Sequence, residues 1–478
     1  MKKAALVVLF VAVSLTSCAQ KSASDKDFFT RPYLQIGQQP SATSLQLCWH
    51  TTDTDTDWVV EHRTANTEAW VRAGMPTYRR VKVWGVRTHR IYTAPMTSLE
   101  SGTPFDYRVL KAGNIVFSAT GHAPMTAGQP YRFVAFADIG AETIEQKKLA
   151  YQAYKANPDL VVVPGDIVYD YGLVSEYRSK FWPIYNADNA NNQGAPLLRS
   201  VPMVAAPGNH DTETRNLNDK PDALAYYYYW AQPLNGPTGN EGGPLVPALT
   251  ATMRNRQAFM QAAGNNYPRM TNYSFDFGNA HWTVIDSNPY VDFTDSTLIK
   301  WVQRDLAAAR GATWRFVMYH HPGFSSSRTH FEQQHMRLLS PVFEAGHVDV
   351  VFNGHVHNYQ RTFPIRFTPD TRGIQRVAGM GNRMGYGRAV NGQLTLDKLF
   401  DGKTNTTPVG IIYLVTGAGG QLLYDLEQHD NPASYQSFTA RFNSNVHSLT
   451  VADVNNKVLT VRQLDVNGNE IDSFKITK

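Results

Sequence analysis

The chain has 478 residues, of which 42% are hydrophobic and 18% are charged. This composition is typical of a globular chain long enough for about two or three domains, and it excludes a disordered one. The formal net charge of +5 is small for this length and argues against a dedicated nucleic-acid binder.

The N-terminus has the pattern of an export signal. Two lysines precede an apolar run at positions 4–15, which is too short for a permanent membrane helix, and Leu-Thr-Ser-Cys follows at 15–18. This pattern resembles a bacterial lipoprotein signal, which implies cleavage before Cys18 and lipidation of its thiol. An ordinary secretory peptide is the alternative. We therefore expect a signal peptide over 1–17 and a polar tether over 18–28.

An exported lipoprotein of the cell envelope follows from that pattern, on the periplasmic face or at the outer membrane or cell surface. No later segment has about 18 uninterrupted apolar residues, so we expect no second membrane element. With Cys18 lipidated, Cys48 has no partner for an intramolecular disulfide. Leu45, Leu47 and Trp49 alternate onto one face of a strand and leave Cys48 on the other, so we predict a packing residue.

Residues 29–124 are predicted to form an all-β sandwich. Short runs rich in Val, Thr and aromatic residues alternate with turn residues, at 45–49, 58–63, 80–86 and 105–110. The sequence SLESGTPFDYRV at 98–109 resembles the turn and penultimate strand of fibronectin type III modules. A linker, MTAGQP at 125–130, ends this domain.

From 131 to 478 apolar strands alternate with helical patterns, which predicts an α/β domain with a helix over 142–156 and further strands after 409. Several predicted strands end in polar groups: FADIG at 136–140, GDIVY at 165–169, GNHD at 208–211, His320, and GHVH at 354–357. Ligand sites in layered α/β folds lie beyond the carboxyl ends of the strands, so these groups should converge.

Seven oxygen or imidazole donors stand in those strings, of the kinds that hold metal ions: Asp138, Asp166, Tyr169, Asn209, His320, His355 and His357. Asp166 is the natural bridge, because one carboxylate can touch both ions of a two-metal hydrolase. His355 and His357 are two apart, and a turn could direct them to different ions. Each string alone occurs by chance, but all of them in one order predict a dinuclear metal site.

The set of strings resembles the metallophosphoesterases and, within them, the purple acid phosphatases. The wider superfamily has Asp-x-His in its first motif, whereas here Gly140 follows Asp138 by two residues and Tyr169 follows Asp166 by three. A phenolate in place of an imidazole adds negative charge and favours Fe(III). The resemblance implies that Asp138, Asp166, Tyr169 and His357 hold Fe(III), and that Asp166, Asn209, His320 and His355 hold Fe(II), Zn(II) or Mn(II).

Nearly the whole mature chain takes part in the resemblance, which implies a four-layer αββα metallophosphoesterase sandwich behind a fibronectin-like domain. The expected activity is hydrolysis of phosphate monoesters, with a metal-bound hydroxide that attacks phosphorus in line. His210 and His330 match family positions that contact phosphate and assist proton transfer. For His330 the alternative is an exposed residue at a helix start behind Thr329.

Other positions are interpreted as structural. The chain departs from the usual family pattern at Asp211, His321 and Gln360. We interpret His321 and His335 as surface or packing histidines. The glycine-rich stretch 379–388 lacks the ending of a phosphate loop and is predicted to be a flexible loop. The aromatic residues at 226–230 either pack an insertion onto the domain or shape substrate access.

Two alternative functions stay open at this point: a phosphodiesterase that acts on nucleotides or lipid head groups with the same metals, and a non-catalytic surface-binding lipoprotein. The expected partners are a small phosphate ester and the membrane, through the lipid on Cys18, with no nucleic-acid scaffold. The sequence does not give the oligomeric state.

Overall fold

The computed structural model describes residues 27–212, 214–370 and 389–478. The expected signal peptide, Cys18, most of the tether and the stretch 379–388 lie outside the described residues. None of the helices in the described ranges has the length and apolarity needed to cross a bilayer.

The first part of the chain is a β-sandwich of two antiparallel four-stranded sheets, in the orders β1-β2-β6-β5 and β4-β3-β7-β8. Its strands are β1 (Thr30–Gln35), β2 (Leu45–Thr52), β3 (Trp58–Thr64), β4 (Val71–Arg72), β5 (Thr77–Val81), β6 (His89–Met96), β7 (Pro104–Lys111) and β8 (Asn114–His122). Leu47 and Trp49 of one sheet pack against Val60 and Tyr107 of the other. The predicted sandwich is confirmed, while its fibronectin type III character and the domain limits stay predictions.

Cys48 lies on the opposite face of β2, as the alternation predicts, and is fully buried with its thiol free. It belongs to a core cluster that also contains Tyr33 of β1 and Trp182 and Tyr229 of the second domain. Arg79 of β5 crosses the same boundary, where its guanidinium donates to the carbonyl oxygens of Ala262 at 2.6 Å, Ala263 at 2.9 Å and Tyr228 at 2.7 Å. The sandwich is therefore packed firmly onto the second domain.

Fifteen described strands follow in the second part. They are β9 (Tyr131–Ala135), β10 (Leu160–Val163), β11 (Met203–Ala205), β12 (Tyr273–Phe277), β13 (Ala280–Val284), β14 (Trp314–Met318), β15 (Val350–Asn353), β16 (Tyr359–Thr362), β17 (Ile365–Pro369), β18 (Gly392–Leu396), β19 (Ile412–Thr416), β20 (Thr439–Asn443), β21 (Ser448–Asn455), β22 (Val458–Asp465) and β23 (Glu470–Thr477).

Helices lie between these strands. They are α1 (Ile144–Lys155), α2 (Val174–Glu176), α3 (Trp182–Tyr185), α4 (Asn209–Thr212), α5 (Tyr226–Tyr229), α6 (Met253–Ala263), α7 (Ser296–Ala308) and α8 (Ser340–Ala345). The predicted helix over 142–156 is α1, which begins where the Thr143 hydroxyl accepts a hydrogen bond from the Gln146 amide. The aromatic residues at 226–230 are buried and pack the insertion onto the domain.

Two large sheets face each other in this domain. Their strand orders are β11-β10-β9-β21-β22-β23 and β12-β13-β14-β15-β19-β16-β20. Aromatic residues from both sheets fill the space between them, and the ring centroids of Phe133 and Trp282 lie 5.1 Å apart. Helix α1 covers the outer face of the first sheet, and α7 and α8 cover that of the second. This four-layer αββα arrangement confirms the predicted fold class.

Parallel strands form one half of the first sheet and the centre of the second. β9, β10 and β11 are parallel in one sheet, and β13, β14, β15 and β19 are parallel in the other. Their sequences are continuous apolar runs because both faces are covered. The carboxyl ends of the parallel strands in each sheet lie at one edge, where the loops with the polar strings begin.

A partly buried ionic network fastens the β12–β13 hairpin to α7. His281 Nδ1 lies 2.7 Å from Asp276 Oδ1, and its Nε2 lies 3.0 Å from Asp305 Oδ2. The hydroxyls of Thr283 and Ser274 also donate to the Asp305 carboxylate, at 2.7 and 2.5 Å. Burial by itself would lower the pKa of His281, but the bonds to Asp276 and Asp305 outweigh it and raise the pKa to about 9.

We expect His281→Gln to destabilise the protein in a pH-dependent manner. The charged imidazole contributes stability that is fully present below its unfolded pKa of about 6.5 and is lost as pH rises through about 9. The free energy of unfolding, measured by urea titration, should be about 2 kcal/mol lower in the variant than in the wild type at pH 6. This difference should become smaller toward pH 10. A difference that stays constant with pH would contradict the charged state of His281.

Candidate metal centre

All seven predicted donors meet beyond the carboxyl ends of the parallel strands. Asp138 follows β9, Asp166 and Tyr169 follow β10, Asn209 begins α4 after β11, His320 follows β14, and His355 and His357 follow β15. Asp138, Asp166 and His320 are buried and offer ligand atoms that all lie within 4.8 Å of one another. The backbone has positive φ at Asp138, Asp166 and His355, at 61°, 51° and 68°. Such conformations cluster at functional sites.

The first group of donors surrounds the Tyr169 hydroxyl. That oxygen lies 2.9 Å from Asp138 Oδ1, 2.9 Å from Asp166 Oδ2 and 3.2 Å from His357 Nε2. His357 Nδ1 donates to the Leu422 carbonyl at 2.7 Å, so Nε2 of the neutral ring presents a lone pair. The single phenolic proton cannot serve three acceptors. A cation would be well accommodated among them.

Asp166 also belongs to a second group. His320 Nε2 lies 3.2 Å from Asp166 Oδ2 and 3.1 Å from Asn209 Oδ1. His320 Nδ1 donates to the Pro164 carbonyl at 2.8 Å, so in the neutral ring that binds a metal the lone pair is on the inward Nε2. His355 Nδ1 lies 2.9 Å from Asn209 Oδ1 and completes the group.

Gln333 fixes the orientation of His355 and was not found from the sequence. His355 Nε2 donates to Gln333 Oε1 at 2.6 Å, which leaves Nδ1 as the inward atom. The amide nitrogen of Gln333 donates to His330 Nδ1 at 3.2 Å. The only sequence signal for this residue is its position three residues after His330 in a loop without regular structure.

The electrostatics of the pocket follow from its buried carboxylates. Burial alone would raise the pKa of Asp166, but the imidazoles of His320 and His210 hold it below its usual value. Burial and then the carboxylates of Asp138 and Asp166 raise the pKa of Tyr169 well above its usual value. The pocket therefore favours positive charge.

The donor atoms, their orientation and the charge of the pocket fit a pair of metal ions. Hard oxygens and inward imidazole lone pairs form two groups that share Asp166, which suits a pair of cations such as iron, zinc or manganese.

Gly140 makes the first group possible. A Cβ atom there would lie 2.1 Å from the Ile167 carbonyl oxygen, so the loop that carries Tyr169 packs where a larger residue would have its side chain.

His210 and His330 lie at the rim of the pocket. His210 Nδ1 donates to the Asp170 carbonyl at 2.8 Å, and its Nε2 lies 4.0 Å from Asp166 Oδ2. The His330 ring lies 4.2 Å from the His355 ring. No helix begins at His330, and Thr329 Oγ1 donates to Asp425 at 3.0 Å instead of capping one. His330 is exposed, as the alternative interpretation expected, but the predicted helix start is wrong.

His321 and His335 are buried packing residues and not surface histidines. Ser287 Oγ accepts hydrogen bonds from the backbone amides of His320 and His321, so its own proton is free for His321 Nδ1 at 3.0 Å. His335 Nε2 donates to the Ser287 carbonyl at 2.8 Å. Both rings thus support the chain around His320 from behind.

The remaining departures from the family pattern also support the loops. Asp211 accepts from the backbone amides of Gly208 at 2.8 Å and Ile167 at 3.2 Å. Gln360 accepts from the Ser326 amide at 2.7 Å. Tyr424, a second residue that the sequence did not reveal, stacks on His357 with ring centroids 4.0 Å apart.

Comparison with known proteins agrees with this geometry. Residues 131–359, just under half of the chain, match the family model of the calcineurin-like phosphoesterases. Its curated relatives include purple acid phosphatase 21 of Arabidopsis thaliana, 27% identical over 241 residues, which are 49% of this chain and 46% of that protein. Probable inactive purple acid phosphatase 27 of the same plant is 25% identical over 396 residues, 73% of this chain and 57% of that protein. The matches thus span about half the length of these relatives.

A solved structure supports the fold over more of the chain. The purple acid phosphatase PPD1 from yellow lupin, Lupinus luteus, superposes with a TM-score of 0.62 at 16% identity. The alignment covers 93% of this chain and 74% of that one. The chain therefore has the metallophosphoesterase fold, with purple acid phosphatases among its homologues, and relatives of this kind imply two metal ions.

Proposed function

We propose that this chain hydrolyses phosphate monoesters with two metal ions, as an acid phosphatase of the purple type. The observation that carries the proposal is the meeting of two lone-pair groups at the buried Asp166 carboxylate. Kinship alone would not carry it, since one relative is named a probable inactive phosphatase. In this chain all seven donor positions hold side chains able to bind a cation.

Bound cations would supply Lewis-acid activation of water and neutralise the charge of the phosphate. The reaction adds water across the ester P–O bond and releases an alcohol and inorganic phosphate. The chain prepares its ligands in advance, because backbone carbonyls hold the outer nitrogens of His320 and His357. Their inward nitrogens need no reorientation when a metal or substrate arrives.

His210 and His330 are assigned to the phosphate and the leaving group. His210 donates from Nδ1 to the Asp170 carbonyl. Burial alone would lower the pKa of His210, but the Asp166 carboxylate outweighs it and raises the pKa, so the protonated ring can also donate from Nε2 to a phosphate oxygen near Asp166. Gln333 donates to His330 Nδ1, which places the proton of the neutral ring on Nε2. That N–H is available to the oxygen of the departing alcohol.

We assign Fe(III) to the group with Tyr169 and Fe(II), Zn(II) or Mn(II) to the group with Asn209. Burial and two carboxylates raise the pKa of Tyr169, so a phenolate there requires a strongly charged ion.

Tyr169→Phe tests this assignment. The wild type should have a broad visible charge-transfer band that the variant lacks, while circular dichroism shows a retained fold. Metal analysis of both proteins separates loss of the phenolate from loss of the ion. A colourless wild type that is fully active with zinc would refute the iron assignment.

Substrate preference and Asn209→Ala test the activity. We expect p-nitrophenyl phosphate to be hydrolysed much faster than bis(p-nitrophenyl) phosphate, since the proposal is for a monoesterase.

Asn209→Ala should lower kcat/KM by about 100-fold or more. The substitution removes the amide oxygen that lies 3.1 Å from His320 Nε2 and 2.9 Å from His355 Nδ1, and with it one proposed metal ligand. Asn240→Ala, on an exposed loop, is the matched control. The reverse substrate ranking would favour the phosphodiesterase, and indifference to Asn209→Ala would favour the non-catalytic lipoprotein.

Export and anchoring are part of the same proposal. The pattern at residues 1–18 supports a lipoprotein tethered through Cys18, with a fibronectin-like domain at 29–124, a linker at 125–130 and a catalytic domain at 131–478. Cys18→Ser should move the protein from the membrane fraction to the soluble fraction and abolish labelling by a radioactive fatty acid. A variant that stays in the membrane fraction would contradict the anchor.

A further inference from the structure

A polar cavity of about 550 Å³ opens beside His330. Its lining includes Arg328, Glu332, Ser434 and Gln436 together with His330 and Gln333. The His330 ring packs at a tilt against the His355 ring, with centroids 4.2 Å apart, and Gln333 hydrogen-bonds to both histidines. The cavity therefore continues from the metal centre on the side where His330 presents its N–H.

Hydrogen bonds hold the loops that form the walls of this cavity. The buried Gln428 amide donates to the Ser326 carbonyl at 3.0 Å, and its oxygen accepts from the Arg328 amide at 3.1 Å. Ser326 Oγ accepts from the Gln436 backbone amide at 2.6 Å. These bonds fasten the two loops that form the cavity to each other. A preformed cavity loses little freedom when a ligand enters.

Several hydrogen-bonding groups of the cavity are uncommitted. Across the described ranges, neither the Gln436 side-chain amide nor the Glu332 carboxylate has a hydrogen-bond or salt-bridge partner in the protein. Arg328 pairs only through Nη1, with Glu427 at 3.3 Å, and stays two-thirds exposed. The cavity thus offers donors and acceptors together, with opposite charges on Arg328 and Glu332.

Such a lining suits one kind of occupant. A hydroxyl group both donates and accepts, so it can use a carboxylate, an amide and a guanidinium at once. A second phosphate group would meet the carboxylate of Glu332, and an alkyl chain would leave all of these groups unused. Phe331 is the only aromatic residue of the cavity within the described ranges.

We propose that this cavity holds the alcohol part of the substrate, and that this alcohol is polyhydroxylated, as in a sugar or polyol monophosphate. The inference rests on the proposed phosphatase activity. With the phosphate at the metal centre, the ester oxygen lies toward His330 and the hydroxyl groups extend to Gln436 and Glu332.

A matched pair of substrates tests the inference. Glucose 6-phosphate and n-hexyl phosphate both release a primary alcohol of six carbons, but only the first carries further hydroxyl groups. We expect kcat/KM to be at least about tenfold higher for glucose 6-phosphate, because sites built to hydrogen-bond a hydroxyl reject analogues without it. Equal values, or a preference for hexyl phosphate, would overturn the proposal.

Gln436→Leu links any preference to this cavity. The ratio of kcat/KM for glucose 6-phosphate to that for p-nitrophenyl phosphate should fall about tenfold in the variant. In Gln193→Leu, a control on a distant exposed turn, the ratio should stay within about twofold of the wild type. An unchanged ratio in Gln436→Leu would overturn the assignment of the cavity. Failure of the wild type to hydrolyse p-nitrophenyl phosphate would instead reject the phosphatase activity itself.

Discussion

Asp166 is the constraint on which the centre depends, because a single buried carboxylate must satisfy both groups of donors. Its Oδ2 lies 2.9 Å from the Tyr169 hydroxyl and 3.2 Å from His320 Nε2, and its Oδ1 accepts from the His210 amide at 2.9 Å. A buried carboxylate is stable only with compensating charge or hydrogen bonds. The His210 amide donates to Oδ1, whereas Oδ2 is the atom that both groups of donors share. The close approach of Gly208, where a Cβ would lie 2.0 Å from Asp166 Oδ1, shows how tightly this carboxylate is enclosed.

The two sheets explain why the residues that come together at this edge could be predicted from the sequence. Parallel strands buried on both faces are continuous apolar runs, and polar residues at their ends are conspicuous. Asp138, Asp166 and His320 were found for that reason. Gln333 and Tyr424 were not, because they lie in irregular loops where no periodicity marks the residues that face inward. Their positions depend on contacts between segments about a hundred residues apart, such as the bond from Thr329 to Asp425.

The wrong helix start at His330 and the open choice between surface and packing for His321 and His335 have a related origin. Thr329 and the polar residues after it match the sequence pattern of a helix cap. In the structure the hydroxyl and the backbone amide of Thr329 instead donate hydrogen bonds to the Asp425 carboxylate, so no helix begins there. His321 and His335 lacked any motif and were expected at the surface or in packing. Tertiary contacts decide whether such residues are buried. Here Ser287 hydrogen-bonds to His321 through its hydroxyl and to His335 through its carbonyl oxygen.

The tight contact at Gly140 has a consequence for how such centres change over time. Because a Cβ at this position would lie 2.1 Å from the Ile167 carbonyl and 2.3 Å from Val168 Cα, a histidine cannot enter at 140 while the following loop keeps its course. The Tyr169 amide donates to the Gly140 carbonyl at 3.2 Å, so the same loop brings the tyrosine in. Exchange between an imidazole-type and a phenolate-type first site therefore requires two coupled substitutions and a shifted loop. A larger residue at 140 alone would displace the loop that carries Tyr169, so changes at these two positions are coupled.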